Sequence, residues 1–251
     1  MRPDGNTILI TGGGSGIGAA LAQAFADAGN HVIVAGRRQA ALDAVIEGRP
    51  NMSAIAFDID DPASIRAFAA RVTAEHPTLN VLVNNAGIMR SEAIDRPRDL
   101  SDAEATITTN LLGPIRLTDV LIGHLATRPD AAIVNVTSGL AFVPFPTAPT
   151  YSATKAALHS YTVVLREQLR GRVEVIELAP PGVQTDLTPG QSTRAGYMPL
   201  PDFISETIAL FAQTPTPAEI LVERVRPLRF AEANGSFDDV FAMLGKVAGR
   251  G

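Results

Sequence analysis

The sequence predicts an α/β fold, in which helices cover both faces of one parallel β-sheet of about seven strands. The first observation is that short, apolar, β-branched runs alternate along the chain with longer amphipathic segments rich in alanine, a pattern typical of strands followed by helices. The second is that a turn rich in glycine joins the first run to the first amphipathic segment. Strands that alternate with helices form right-handed βαβ units, so a doubly wound sheet of the Rossmann kind is expected.

The length and composition favour a single domain over residues 1–251. No linker or internal repeat divides the 251 residues, and 46% of them are hydrophobic, which is enough for one large domain or at most two. The predicted strands cover residues 7–10, 31–35, 53–57, 81–83, 132–136, a run at Val173, and residues 220–225.

The predicted helices are bounded by residues that commonly begin or end helices. The first ends before Gly29, the third opens with the cap Asp61 and Pro62, and a later one opens with a capping box from Ser101 to Glu104. The remaining helices are predicted over residues 39–47 and 153–169, with a final helix near the end of the chain.

The composition excludes several classes of function. The net charge is −5 and the basic residues are scattered, so neither nucleic acid nor an anionic membrane is an expected partner. The chain has no cysteine and only four dispersed histidines, so thiol chemistry and a metal site are not expected. No apolar run approaches the ~20 residues of a membrane span, and no signal peptide precedes the first strand. We therefore expect a cytoplasmic protein.

The candidate acid/base pair is a tyrosine and a lysine on one predicted helix. Tyr151 and Lys155 are four residues apart, so their side chains share a helix face. Lowering the pKa of a phenol from about 10 to about 7 or 8 takes roughly 3 to 4 kcal/mol, and one positive charge at roughly 4 to 5 Å supplies about that much. Lys155 and Lys246 are the only lysines among 21 Lys and Arg residues, which favours a site for a compact ammonium. The alternative is an ordinary half-buried phenol beside a solvated lysine.

The glycine-rich turn is the candidate phosphate-binding element. It reads Thr-Gly-Gly-Gly-Ser-Gly-Ile-Gly from Thr11 to Gly18, and such a turn lets the backbone approach a diphosphate at a helix N-terminus. The spacing of Gly12, Gly16 and Gly18 matches neither G-x-G-x-x-G nor a P-loop. The alternative is a bare strand-to-helix turn.

Two arginines follow the second predicted strand. In the ordinary dinucleotide fold an acidic residue at this place binds the ribose hydroxyl. Here the chain has Gly36, Arg37 and Arg38, and guanidinium groups suit a 2′-phosphate. NADP(H) is therefore favoured over NAD(H), which stays an alternative, as does a pair of surface arginines without a ligand.

These motifs together resemble the short-chain dehydrogenases/reductases, in their single-domain branch, over residues 6–187. The resemblance implies a catalytic set of Asn110, Ser138, Tyr151 and Lys155. The positions that it associates with the cofactor, taken with the two arginines, are Gly12, Ser15, Gly16, Ile17, Gly18, Arg37, Arg38, Asp58, Ile59, Asn84, Ala86, Gly87, Tyr151, Lys155, Pro181, Val183 and Thr185. Asp58 and Ile59 resemble the pair beside the adenine, and residues 180–185 resemble the segment that holds the nicotinamide.

The implied activity is hydride transfer between the nicotinamide and a carbonyl or secondary alcohol. Tyr151 would act as general acid/base, Lys155 would lower the pKa of the phenol and bind the nicotinamide ribose, and Ser138 would bind the substrate oxygen. The alternatives are an NADP-sensing binding protein, or an epimerase or dehydratase on the same scaffold. His159 is expected to be a packed helix residue rather than a proton relay.

The expected substrate is a mostly apolar small molecule. The expected pocket walls are Val143, Pro144, Phe145, Leu187 and a substrate loop over about residues 187–202, with Arg90 as one cation. The sequence departs from the family at Pro181, where glycine is usual, and in a C-terminal extension over about residues 226–251, for which it indicates no function.

Two expectations concern the long helix that contains Asn110. Pro114 lacks an N–H, so the carbonyl four residues earlier, on Asn110, loses its helical partner and the helix should be kinked there. That carbonyl could hold a water that links Lys155 to solvent; the alternative is a plain bend. The helices near Ser101 and Thr150 also carry surplus apolar residues, and family members pair such helices, so a homodimer or homotetramer is expected.

Overall fold

The computed structural model of the protein describes residues 1–249, in which seven parallel strands form one sheet in the order β3-β2-β1-β4-β5-β6-β7. This confirms the doubly wound α/β fold. The strands are β1 (Thr7–Thr11), β2 (His31–Gly36), β3 (Met52–Ala56), β4 (Val81–Asn84), β5 (Ala132–Val136), β6 (Glu174–Leu178) and β7 (Glu219–Ile220).

Helices cover both faces of the sheet because its strands are apolar on both sides. The helices are α1 (Gly16–Asp27), α2 (Gln39–Ile46), α3 (Pro62–Glu75), α4 (Ser101–Ile107), α5 (Gly113–Leu125), α6 (Pro149–Gln168), α7 (Leu200–Phe211), α8 (Arg226–Arg229) and α9 (Phe237–Ala248). Alternate residues of β1 enter two different cores: Ile8 and Ile10 pack in one, and Leu9 in the other. The strand order reverses between β1 and β4, which opens a crevice at the carboxyl ends of these strands.

The helix that was expected to kink at Asn110 is interrupted there by a π-helical segment, Thr108–Leu112. The N–H of Gly113 bonds the carbonyl of Thr108, five residues earlier, instead of one four residues earlier. Pro114 stands in the first turn of α5, where its missing N–H is tolerated. The local distortion near Asn110 is therefore present, in the form of an extra residue in the turn.

Three predicted boundaries are wrong. Helix α6 begins at Pro149 rather than at residue 153, so Tyr151 lies inside it. The capping box at Ser101 does not form, because Leu100 is the N-cap of α4 and the Asp99 carboxylate instead accepts bonds from the Ser101 N–H and hydroxyl. The last strand, predicted over residues 220–225, is only Glu219–Ile220. Val222 and Val225 are fully buried without pairing in the sheet, so their apolar character reflects burial.

Within residues 1–249, no helix is both long enough and apolar enough to cross a membrane.

Candidate active site

A polar cavity of about 550 Å³ lies where β1, β4, β5 and β6 end. It is bounded by the glycine turn, by the residues after β4, and by the first turns of α6. Most of the residues that line this cavity were predicted from the sequence. They are Gly12, Ser15, Gly16, Ile17, Gly18, Arg37, Arg38, Ala86, Gly87, Ser138, Tyr151, Lys155, Pro181, Val183 and Thr185. We refer to it below as the polar cavity.

The glycine turn has the conformation that a close ligand requires. Gly12 and Gly16 have φ angles of 66° and 55°, in the left-handed region that favours glycine. At Gly18 an added Cβ would lie 2.4 Å from the carbonyl oxygen of Gly12, so the turn packs tightly on α1. The side chain of Ser15, the N-cap of α1, makes no capping bond, and the first turn of α1 has no acidic residue. The N-terminus of α1 is therefore suited to a phosphate.

Tyr151 and Lys155 lie on the first two turns of α6 and are both buried. The Lys155 ammonium donates a hydrogen bond of 2.8 Å to the carbonyl oxygen of Val136, at the end of β5. It lies 5.7 Å from the centroid of the Tyr151 ring. The predicted face-sharing pair is therefore present, and it is anchored to the sheet through Lys155.

Burial shifts the pKa values of this pair in a direction that the sequence did not predict. It raises the pKa of Tyr151 to about 12, and a hydrogen bond with Ser138 offsets part of the rise. Burial also lowers the pKa of Lys155 to about 8. The expected lowering of the phenol pKa by Lys155 is thus absent: burial is the largest cause of the shift, and the opposing contribution comes from Ser138 rather than from the ammonium.

Ser138 is placed beside the phenol by the turn that follows β5. Its hydroxyl accepts a bond of 3.1 Å from the N–H of Leu140 and caps a 3-10 turn, Gly139–Ala141. The Ser138 side chain also lowers the pKa of the Tyr151 phenol, and it lines the polar cavity. It is therefore positioned to bind an oxygen that approaches the phenol.

Asn110 supports the site through the backbone after β4. Its amide oxygen accepts a 2.8 Å bond from the N–H of Ile88, and its amide nitrogen donates a 2.8 Å bond to the Ile88 carbonyl. An added Cβ at Gly87 would lie 3.3 Å from the Asn110 amide oxygen and 3.7 Å from Lys155 Nζ. The π-helical segment thus places Asn110 near Lys155, with Gly87 packed against both.

Arg37 and Arg38 line both the polar cavity and a smaller pocket of about 140 Å³ beside it. Ile59 also lines this pocket, as the resemblance implied. The Arg37 guanidinium lies 3.7 Å from the Asp60 carboxylate and is largely exposed. The lining of the pocket therefore combines apolar residues with two arginines.

Two residues that were associated with the cofactor do not line these cavities. Asp58 is exposed, and its carboxylate accepts a bond from the N–H of Asp60. Asn84 is buried and donates to Thr118 and Asn135, at 3.1 and 2.9 Å. Asn84 therefore connects β4 to β5 and α5, which is a bracing function.

A second cavity of about 460 Å³, mostly apolar, adjoins the polar one. Phe145 and Leu187 line it as expected, together with Gln191 and Tyr197 of the substrate loop. Val143 is instead fully buried in the protein and Pro144 is exposed, and neither lines this apolar cavity. Arg90 lines the polar cavity.

Several residues of the C-terminal extension line the apolar cavity and were not predicted from the sequence. They are Pro227, Leu228, Val240, Met243, Leu244 and Val247. The last four recur at i, i+3, i+4 and i+7, the spacing of one apolar helix face. This spacing is visible in the sequence, but it does not say what the face covers.

His159 is a packed residue, as expected, and has a buried partner. Its Nδ1 lies 2.8 Å from one oxygen of the fully buried Glu177 side chain. The other oxygen accepts a 2.6 Å bond from the Thr137 hydroxyl. The pair thus supports the chain beside Ser138 rather than the cavity itself.

The comparisons with known proteins agree with this geometry. A family model for short chain dehydrogenases matches residues 6–195. The uncharacterized oxidoreductase DltE of Bacillus subtilis is 39% identical over 248 residues, which are 97% of this chain and 98% of the relative.

Solved structures of similar chains include complexes with both nicotinamide dinucleotides. A gluconate 5-dehydrogenase from Burkholderia cenocepacia, in complex with NADP and tartrate, has a TM-score of 0.77 at 26% identity, over 88% of this chain and 94% of its own. A 3-ketoacyl-(acyl-carrier-protein) reductase from Brucella melitensis, complexed with NADH, has a TM-score of 0.77 at 26% identity, over 86% and 93%. The chain therefore belongs to the short-chain dehydrogenase/reductase family of oxidoreductases.

Proposed function

We propose that the protein transfers hydride between NADP(H) and a carbonyl or secondary alcohol of a mostly apolar small molecule. The observation that supports this most directly is that Ser138 and Tyr151 line both the polar and the apolar cavity. A proton donor and a hydrogen-bond donor thus lie where the two cavities meet. A carbonyl held there would face both a cofactor in the polar cavity and the phenol.

In the reductive direction, Tyr151 donates its phenolic proton to the oxygen of the developing alkoxide. Ser138 donates a hydrogen bond to the same oxygen as its negative charge grows. Lys155, held by the Val136 carbonyl, places a positive charge next to the phenol when protonated and favours release of the proton. The nicotinamide, when bound, supplies the hydride.

The pKa of Tyr151 supports the donor function. At about 12, the phenol is neutral near pH 7, which is the form that reduction of a carbonyl requires. Oxidation of an alcohol needs the phenolate, which the buried site disfavours unless a nearby positive charge is added. The phenolic proton that the proposed reduction needs is therefore present at neutral pH.

The preference for NADP(H) rests on the two guanidinium groups at the end of β2. Arg37 and Arg38 line the pocket beside the glycine turn, and no acidic residue follows β2 before α2. A guanidinium binds a phosphate by charge-assisted hydrogen bonds. The ribose 2′-phosphate of NADP(H) suits this place better than the hydroxyl of NAD(H).

The central experiment follows NADPH absorbance with a panel of aryl and alicyclic ketones, using wild type and Tyr151→Phe. Loss of a general acid typically lowers the rate by about 10² to 10⁴-fold, so we expect the variant to lose turnover and to retain nearly unchanged NADPH affinity. Tyr161→Phe is the matched control, since Tyr161 is a half-buried phenol on the same helix that packs in the core.

Retention of a tenth of the wild-type rate by Tyr151→Phe would refute the acid/base assignment. Tight NADPH binding without turnover of any carbonyl compound or alcohol would instead favour a cofactor-sensing protein.

A further inference from the structure

The far wall of the apolar cavity is built by residues beyond the segment that the family model matches, which ends at residue 195. Residues of this wall include Gly196, Tyr197, Leu228, Met243, Leu244 and Val247. The reactive end of the cavity, with Ser138 and Tyr151, lies within the matched segment. The end of the cavity that holds Ser138 and Tyr151 therefore opens into a space bounded by residues outside the matched segment.

The extension is anchored to the catalytic turn by direct packing. Gly139 directly follows Ser138 and packs closely on the C-terminal part of the chain. A Cβ added at Gly139 would be 2.9 Å from Val225 Cγ2 and 3.3 Å from Leu228 Cδ1. Leu244 of α9 packs in a small cluster with Phe145 and Tyr151. The position of the extension is thus tied to the residues that bind the reacting oxygen.

Helix α9 presents an apolar face to the cavity that the chain itself leaves unfilled. None of its residues is buried, and Met243 is 51% exposed although it lines the cavity. The volume of about 460 Å³ beneath this face lies within the range of ligand pockets, about 300 to 1,000 Å³. An apolar group that enters the cavity from the catalytic end would cover this face.

The cavity offers little to a charged substrate. Arg224 is the charged side chain among its described lining residues, and its guanidinium already donates to the Gly196 carbonyl. Gln191 is similarly engaged, because its amide donates to the Val183 carbonyl and the Thr185 hydroxyl. The phenols of Tyr151 and Tyr197 and the hydroxyl of Ser138 are the neutral polar side-chain groups that remain in this lining.

We propose that α9 is the specificity-determining wall of the substrate site, and that Leu244 and Met243 contact an extended apolar substituent of the carbonyl substrate. This inference rests on the proposed function and adds the class of substrate. The preferred compounds are ketones or aldehydes that carry an apolar chain or ring, rather than small or anionic carbonyl compounds.

The test measures kcat/KM with NADPH for methyl n-alkyl ketones of increasing length. Burial of one CH₂ contributes about 0.8 kcal/mol, so the wild-type value should rise up to about fourfold per added carbon until the cavity is filled. Leu244→Ala should flatten this rise. Leu244→Met, which keeps apolar volume, should retain it. Phe241→Ala removes an apolar side chain of α9 that does not line the cavity and should leave the slope unchanged.

A second measurement needs no turnover. We expect the Tm of the protein with saturating NADP⁺ to rise more with nonan-2-one than with acetone, because binding to the folded state stabilises it. Leu244→Ala should reduce this difference, and Phe241→Ala should not. If no ketone is turned over but this pattern of Tm shifts appears, the result supports α9 as the wall of the binding site and contradicts the proposed function. Equal slopes and equal Tm shifts in wild type and Leu244→Ala, or a preference for short 2-oxo acids, would overturn the inference.

Discussion

At the scale of single residues, burial determines the pKa values of Tyr151 and Lys155. Tyr151 and Lys155 are 7% and 4% exposed, and removing each from water favours its neutral form. The phenol therefore keeps its proton more strongly than in water, while the ammonium gives it up more easily. Lys155 is charged at neutral pH but begins to lose its proton near pH 8.

The shift at Lys155 predicts how stability depends on pH. The folded pKa is about 8 and the ordinary value is 10.5, so between these values the unfolded chain binds more protons than the folded one. Below pH 8 the buried Lys155 is charged and destabilises the folded state to its full extent. This destabilisation is relieved as the pH rises through the window, so the free energy of unfolding increases with pH there. We expect Lys155→Met to reduce the rise, as measured by urea unfolding between pH 8 and 9.5, below the range in which a free phenol titrates.

The chain provides a matched control, because its other lysine, Lys246, is exposed on α9. Lys246→Met should keep the wild-type dependence on pH. An unchanged slope in Lys155→Met would show that burial does not lower the pKa of Lys155.

The two arginines after β2 predict the choice of cofactor. Hydrogen bonds to a charged group contribute about 1.5 to 3 kcal/mol each, so Arg37→Ala with Arg38→Ala should weaken NADPH binding at least tenfold and barely change NADH binding. Titration of both cofactors by fluorescence tests this. Arg71→Ala, which removes an exposed ion pair with Glu75 on α3, is the control. Equal losses for NADPH and NADH would contradict the assignment.

At the scale of elements, the π-helical segment Thr108–Leu112 positions Asn110. The extra residue in the turn lets Asn110 reach the Ile88 backbone, while Thr109 donates a 2.7 Å bond to Asp60. The start of α5 also packs closely, since an added Cβ at Gly113 would lie 2.7 Å from Ile59 Cγ1. One irregular turn therefore connects the catalytic set to the pocket beside the glycine turn.

Pro114 offers a test of this element. Pro114→Ala adds an N–H that can bond the Asn110 carbonyl, four residues earlier, and so favours a regular helix over the π-helical turn. We expect slower turnover at unchanged NADPH affinity, measured by steady-state kinetics and cofactor titration.

Pro62→Ala, in the first turn of α3 and distant from the catalytic pair, should leave both quantities unchanged. Wild-type turnover in Pro114→Ala would contradict the expectation that the Asn110 carbonyl holds a water that links Lys155 to solvent. It would favour the alternative of a plain bend.

At the scale of the whole molecule, an apolar surface on α4, the π-helical segment and α6 suggests self-association. The large exposed apolar residues on and around these elements are Ile94, Leu100, Ile107, Leu112, Val163 and Val164, between 36% and 63% exposed. A groove between Ile107, Leu111 and Ala157 runs along the same surface. Exposed apolar patches of this kind mark interfaces, and we propose that a second copy of the chain covers this one.

The oligomer is tested by light scattering at micromolar concentration, where we expect a homodimer or homotetramer. Val164→Glu places a charge in the surface, which is costly to bury, and should shift the protein towards smaller species. Ala70→Glu adds the same charge at an exposed position of α3 and should not. A wild-type monomer would contradict the prediction.

The amino-acid sequence by itself determined the fold class, the glycine turn and the shared helix face of Tyr151 and Lys155. These features depend on local patterns: alternation of β-branched runs with amphipathic segments, glycines between a strand and a helix, and the i, i+4 spacing of Tyr151 and Lys155. Such patterns act through neighbours along the chain, so they can be interpreted without knowing the tertiary contacts.

Tertiary structure alone decided the pKa values of Tyr151 and Lys155 and the far wall of the apolar cavity. The pKa values depend on burial, which is produced by β5, the Ser138 turn and α6 together, so the predicted sign for Tyr151 was wrong. The wall combines Tyr197, Leu228 and Leu244, which lie apart in the sequence and meet through packing. The apolar face of α9 was visible in the sequence, but only its contact with the Tyr151 cluster identifies what that face covers.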